Sequence, residues 1–392
     1  MVLPAVPAAG AEKILHTFQG GSDGIAPWGV LIRDKTGNLY GTTAGGGGGM
    51  GCNDGSDGCG IVFRIAPDAT EAVLHAFAGG CDGAFPFSGL VADKTGNFYG
   101  TTVSGGTCNS DQGDGTVYKL APDGTETVVY AFMGGSDGYG PNGLTADEKG
   151  NLYGMTSAGG NGPGCNNIGC GLVFEITPKG KETVLYNFQG GSDGAEPYGN
   201  VIRDAVGNLF GTTADGGSSG CGGGGCGTVF KLAPDGTETI LYAFQGGSDG
   251  EFPQNGVVAD SAGNLYGTTA GGGGELVGTI FEVTPAGIES VLYSFARESG
   301  GYYPEAGLIF DKAGNLYSTT SYGGGAGCKA SGGCGAAFML APDGSETVLY
   351  GFKGHRGREP SAGLLLGKHG DLYGTTNEGG DENNGVVFEL KE

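Results

Sequence analysis

Short runs in which Val, Leu, Tyr, Phe or Thr alternate with smaller or polar residues recur from one end of the chain to the other, and no stretch carries a helical period of adequate length. The second copy shows the set: "GLVAD", "GNFYGTT", "GTVYKLAP" and, after a turn, "ETVVYAF". Runs of this length and composition predict strands. Between the first and second lies Asp-x-x-Gly-Asn (Asp93 to Asn97), which suits a tight hairpin with glycine in the left-handed region. Between the third and fourth lies Ala-Pro-Asp-Gly, where proline presets one turn position and glycine supplies positive φ at another. The pattern is all-β.

Laying the chain on itself puts Asn38, Asn97, Asn151, Asn208, Asn264, Asn315 and Asp371 in one column, at steps of 59, 54, 57, 56, 51 and 56 residues. Seven units of four antiparallel strands describe a seven-bladed β-propeller in one domain. The blades fall at about 27–77, 86–132, 141–188, 197–244, 253–295, 304–352 and 360–392. A parallel β-helix is the competing architecture, but its coils are shorter and need no pair of hairpin turns per repeat. The last unit holds only three strands, from Gly363, Asp371 and Gly385, while an unmatched fourth-strand sequence, "EKILHTF" at 12–18, stands before the first unit. The amino-terminal segment is therefore expected to complete the last blade and close the ring, which removes exposed strand edges.

The units, with Gly-Leu in the first strand, "GNLYGTT" in the second and Val-Phe in the third, resemble the GloVer tandem repeats of bacterial exported proteins. The likeness runs from Glu12 to Leu390. It implies an exported or surface-attached propeller and brings no catalytic residues. Members of that family carry C-terminal surface anchors; this sequence ends at "VVFELKE", so either an anchor follows or the protein is released.

Composition narrows the partners. Glycine and proline number 90 and 16 of 392 residues, and the period separates that richness from disorder. A formal charge of −23 repels a phosphate backbone or an anionic membrane surface, so neither nucleic acid nor membrane insertion is expected. The start "MVLPAVPAAGA" lacks the basic and apolar regions of a signal peptide, and an export signal is expected to have preceded the mature chain. A monomer is expected.

The ten cysteines group by place. Cys52 and Cys59, Cys165 and Cys170, Cys221 and Cys226, and Cys328 and Cys334 are close pairs inside the loops between second and third strands. Cys81 replaces the serine of the recurrent "GGSDG", and Cys108 lies in the same unit's second-to-third loop. These two loop classes emerge on one face of an up-and-down blade, so five disulfides on a single face are expected. Thiolate zinc sites are the rival, yet the pairs belong to different blades and do not converge. Disulfides place the protein outside the reducing cytosol: secreted, periplasmic or at the cell surface.

Differences between units on that face are the candidate chemistry. The loop into each first strand ends in a proline flanked by variable residues, including Trp28, Phe85, Phe87, Tyr139, Tyr198, Phe252, Tyr302 and Tyr303, which offer flat surfaces for sugar rings. Packing between loops is the alternative for each. The sixth and seventh units depart furthest, bringing Arg297, Glu298, Glu305, His355, Arg356, Arg358 and Glu359. Arginines there either hold a planar anion or neutralise neighbouring acids. His16 and His75 occupy a tyrosine column and read as structural. No nucleophile elbow, HExxH helix or phosphate loop is present. Calcium is conceivable at Asn53 to Gly58 and Asn109 to Gly115, although solvated turns explain those oxygens as well; no other cofactor or metal is expected.

Two functional readings and a third, structural one follow. In the first, the disulfide face binds an extracellular glycan or other ligand through Trp28, Phe87, Tyr198, Tyr302, Tyr303, Glu305, Arg356 and Arg358. In the second, the protein is a lyase or hydrolase acting on an acidic polysaccharide, with Arg358 neutralising a uronate while His355 or Tyr303 moves the proton. In the third, it is a structural array without a small ligand.

Overall fold

The computed structural model describes residues 11–49, 52, 58–108, 113–165, 168–297, 300–324, 328 and 332–391. They form seven antiparallel blade sheets, one per repeat, and a separate two-stranded pair in the sixth repeat, Gly301–Tyr302 with Tyr322–Gly323. Blade 4 is representative: Ala195–Arg203 innermost, then Leu209–Asp215, Thr228–Leu232 and Glu238–Ala243 outermost. The glycine of each Asp-x-x-Gly-Asn hairpin is left-handed, for instance Gly96 at φ 87°. Its aspartate caps the turn: Asp93 accepts from the backbone of Thr95 and Asn97 and from the Asn97 side chain.

Ring closure is as expected. Blade 7 comprises Leu365–Leu366, Leu372–Thr376, Val386–Lys391 and the amino-terminal Ala11–Thr17, with Ile14 opposite Phe388 and Thr17 opposite Val386. Its register shifts between Ile14 and His16, and the same bulge recurs in the outer strand of the other six blades, as between Val128 and Tyr130 in blade 2. The amino-terminal strand is thus a true fourth strand.

The core lies between blades. Each outer strand ends in a buried phenylalanine that meets, edge to face, the third-strand ring of the next blade: Phe77 with Tyr118, Phe132 with Phe174, Phe188 with Phe230, Phe244 with Phe281, Phe295 with Phe338, Phe352 with Phe388, and across the closure Phe18 with Phe63. Centroids stand 5.0–5.2 Å apart. Such pairs contribute roughly 0.5–1.5 kcal/mol each beyond area burial.

A second lock explains one glycine column. A side chain at Gly60, Gly115, Gly171, Gly227, Gly278, Gly335 or Gly385 would collide with the proline ring of the following blade, Pro86, Pro141, Pro197, Pro253, Pro304, Pro360 and Pro27 in turn. Glycine is required there because two backbones and a ring converge. No helix among the described residues is long and apolar enough to cross a membrane.

Candidate functional site: the disulfide face

All five expected disulfides form: Cys52–Cys59, Cys81–Cys108, Cys165–Cys170, Cys221–Cys226 and Cys328–Cys334. Each ties loops on the face where second strands hand over to third strands and outer strands to the next inner strand. Five bridges on one face imply an oxidising compartment. Of the suggested calcium loops, Asn53 to Gly58 and Asn109 to Gly115, the stretches 53–57 and 109–112 lie outside the described residues, as does Glu298.

The loop entering each blade carries a backbone feature that the sequence analysis did not anticipate. The residue before each recurrent proline is left-handed: Ala26, Phe85, Gly140, Glu196, Phe252, Tyr303 and Glu359 have φ between 53° and 62°. Outside glycine this region is strained. The strain is held by an inter-blade hydrogen bond, since each of these amides donates to the carbonyl just ahead of the preceding blade's third strand, as Phe85 does to Cys59 and Glu359 to Cys334. Ala26 does the same across the closure, to Asn384. The consequence is a ring of fixed backbone whose side chains differ from blade to blade.

Those side chains sort into two sectors. Blades 1 to 4 present exposed aromatics: Trp28 at 38%, Phe87 at 41%, Tyr139 at 46% and Tyr198 at 36%. Trp28 and Phe87 come from neighbouring blades and touch edge to face, centroids 5.7 Å apart. Beside Tyr198 lie Glu196 and Asp215. Burial pushes the Glu196 carboxyl above its usual range, and Asp215 adds to the shift.

Blades 6 and 7 are polar. Glu305 accepts from the Ser321 hydroxyl at 2.7 Å, Arg358 pairs with Glu378, and the Asn377 amide donates to the Ser361 hydroxyl at 3.0 Å. The Asn377 backbone donates to the Glu359 carbonyl, which brings Glu359 to the same spot. Burial raises the Glu359 carboxyl, Glu378 and Glu305 raise it further, and Arg358 opposes them. Asn377 is only 6% exposed, yet its Oδ1 has no hydrogen-bond partner among the described residues.

The remaining sequence candidates divide differently. Tyr302 is buried, stacks on Tyr322, meets Tyr303 and donates its hydroxyl to the Gly332 carbonyl, so it anchors loops. The Arg297 guanidinium lies 5.3 Å over its ring. Arg356 is turned outward, where its Nε donates to Glu12 at 2.7 Å. His355 projects from an exposed turn and makes no hydrogen bond or ion pair with any described residue. Arg358 is engaged by Glu378, and nothing among the described contacts joins His355 to Tyr303. Ser321, Ser361, Asn377 and Glu378 were not among the sequence candidates, although a signal was available: Asn377 stands where its siblings are Ala44, Val103, Ser157, Ala214, Ala270 and Ser321.

Two other clusters gather potential metal ligands. His75, Asp82 and Glu126 lie close together, as do Cys221, Cys226 and Glu251. The cysteines are already bonded to each other. His75 bonds Asp82 in the way that Tyr130 bonds Asp137 and Tyr186 bonds Asp193, which makes this trio the local form of a recurrent joint between blades.

Solved structures share the architecture at low identity. The extracellular domain assigned to a hybrid two-component system of B. thetaiotaomicron superposes with a TM-score of 0.57 at 10% identity, over 95% of this chain and 39% of that one. A gluconolactonase of Xanthomonas campestris reaches 0.42 at 16% identity, covering 76% and 82% of the two chains. A luciferin-regenerating enzyme reaches 0.48 at 12%, covering 98% and 95%. At 10% identity the likeness to the extracellular domain is one of fold. No curated protein matches the sequence. The model of the Gloeobacter/Verrucomicrobia repeat matches residues 2–162, 48–223 and 219–392, tiling nearly the whole chain, and the protein accordingly belongs to the Gloeobacter/Verrucomicrobia repeat family.

Proposed function

We propose that this propeller is an exported, monomeric carbohydrate-binding protein whose disulfide face is the binding surface. The observation that carries the reading is the break in sevenfold symmetry on that face. The scaffold columns repeat, whereas the residues flanking the strained ring divide into an aromatic sector around Trp28, Phe87 and Tyr198 and a polar sector around Glu305, Ser361 and Asn377. Exposed rings stack on the apolar faces of sugars, and adjacent fixed polar groups orient hydroxyls. The disulfides support the same use, since they hold loops that otherwise lose entropy on binding. Secretion, or display in the periplasm or at the surface, accords with the bridges.

A glycan array followed by calorimetry on the full chain tests this. Saccharide binding that falls at least tenfold in Trp28→Ala and Phe87→Ala, without turnover, is the expected result. Absence of any glycan ligand, or binding untouched by both substitutions, defeats it.

A further inference from the structure

We infer that the joint between blades 1 and 2 holds a divalent transition-metal ion of the zinc type, ligated by His75, Asp82 and Glu126. The inference is independent of the carbohydrate-binding reading. Among the described residues, two groups of three metal-ligating side chains bring one donor atom each to within 4.8 Å of one another, and in the other group both cysteines are spent on their disulfide. Here His75 Nε2 lies 3.2 and 3.3 Å from the two oxygens of Asp82. Two ligands about 2.1 Å from a tetrahedral ion stand roughly 3.4 Å apart, so this edge already has the required span.

This joint departs from its siblings in the atom that matters. Tyr130, Tyr186 and Tyr242 donate a hydroxyl hydrogen to Asp137, Asp193 and Asp249 at 2.5–2.6 Å, and a protonated phenol is a poor metal ligand. Histidine in the same column places an imidazole nitrogen there, a ligand suited to zinc and its neighbours. The third donor comes from the next blade: Glu126 opens the outer strand Glu126–Ala131, and its Oε1 is inaccessible to solvent and has no partner among the described residues. Glu71, Glu182, Glu238 and Glu289 share that unpartnered oxygen. The joints as a class therefore bury an acceptor without a positive partner, and between blades 1 and 2 a nitrogen completes a ligand set. At the closure His16 also meets Asp23 at 3.2 Å, but Glu71 does not complete a group of three there.

Asp82 is fixed twice over. Its Oδ2 accepts from the Ala78 amide at 2.7 Å, and its neighbour Cys81, in the column of Ser22, Ser136, Ser192 and Ser248, is bridged to Cys108. Histidine for tyrosine and cysteine for serine thus meet in a single joint. A carboxylate already held loses little freedom when an ion binds. Side-chain exposures of 19% for His75 and 22% for Asp82 leave the entry open to solvent. One imidazole with two carboxylates selects zinc-type ions over calcium or magnesium, which take oxygen ligands.

Calorimetric titration of the chelator-stripped full chain with zinc, in excess magnesium to occupy exposed carboxylates, tests this. One zinc ion per chain is expected to bind and to raise the thermal midpoint. His75→Tyr, which installs the residue of the sibling joints, and Glu126→Gln are each expected to weaken that binding at least tenfold and to remove the zinc-induced rise. His16→Tyr, at the other histidine of the column, is expected to leave the affinity within twofold. Absence of zinc binding, binding that survives His75→Tyr or Glu126→Gln, or a loss as great in His16→Tyr overturns the inference. Glu126→Gln preserves side-chain shape and decides the matter if His75→Tyr does not fold.

Discussion

Glu12 and Tyr350 stand 338 positions apart in the chain and share a 2.6 Å hydrogen bond, the tyrosine hydroxyl donating to Glu12 Oε2. The same oxygen receives Arg356 Nε. The Glu12 side chain is 2% exposed, so the joint between blades 6 and 7 is held by a buried carboxylate with two donors. Glu12→Ala is expected to cost about 2 kcal/mol, the loss of a charge-assisted acceptor that leaves a half-buried hydroxyl unpaired. Urea unfolding monitored by circular dichroism measures it; an unchanged midpoint counts against this role for the amino-terminal strand.

The equivalent glutamates at five other joints lie near aspartates. Burial pushes Glu71, Glu126, Glu182, Glu238 and Glu289 up to about 7, and Asp23, Asp82, Asp137, Asp193 and Asp249 respectively add repulsion. A carboxyl whose folded pKa exceeds its unfolded value binds more protons in the folded state. Its contribution to stability is complete below about 4.5 and is lost as pH rises through about 7. The denaturation midpoint is therefore expected to fall between pH 5 and pH 8, and Glu182→Gln to flatten the fall. A midpoint that climbs over this interval contradicts the joint geometry.

Acid sets the other limit. Although burial works against it, Asp34 is held well below the usual carboxylate range by hydrogen bonds from Asn38, Thr36 and Tyr40, and Asp93 is held down in the same way by Asn97 and Thr95. For these groups stability is present above the unfolded pKa and is lost as pH falls below about 4. Asp93→Asn is expected to make unfolding less sensitive to acid below pH 4, read by the same titration.

Tyr118 occupies the third-strand column that is phenylalanine in the other six blades, and its fully buried hydroxyl has no partner among the described residues. Tyr118→Phe keeps the edge-to-face contact with Phe77 and removes an unsatisfied group, so a gain of about 1 kcal/mol is expected. Calorimetric melting that shows a loss would reveal a hidden partner for that hydroxyl.

The bridges differ in reach. Cys81–Cys108 spans a separation of 27 residues and Cys165–Cys170 only 5. Chain entropy predicts costs of about 3.5 and about 2 kcal/mol when each pair is replaced by alanine. Equal losses in the two double variants indicate that native packing, not loop closure, sets their value.

Much of this molecule is written locally. Alternation within "GNLYGTT" and "GTVYKLAP", with Asp-x-x-Gly-Asn and Pro-Asp-Gly between strands, dictates hairpins because each needs only neighbours in sequence. Repetition then dictates seven blades, and the lone "EKILHTF" dictates closure. Cysteine pairing followed too, since loops of one class share a face. The left-handed residues before Pro27, Pro86 and their counterparts were not legible, because that conformation is held by a hydrogen bond each donates to a carbonyl of the blade before. Nor could sequence say that Arg356 turns to Glu12, that Arg358 meets Glu378, or that Tyr302 faces inward while Trp28 faces out. Which charge neutralises which depends on blades brought side by side when the ring shuts, and the sign of the surface left over is a property of that juxtaposition alone.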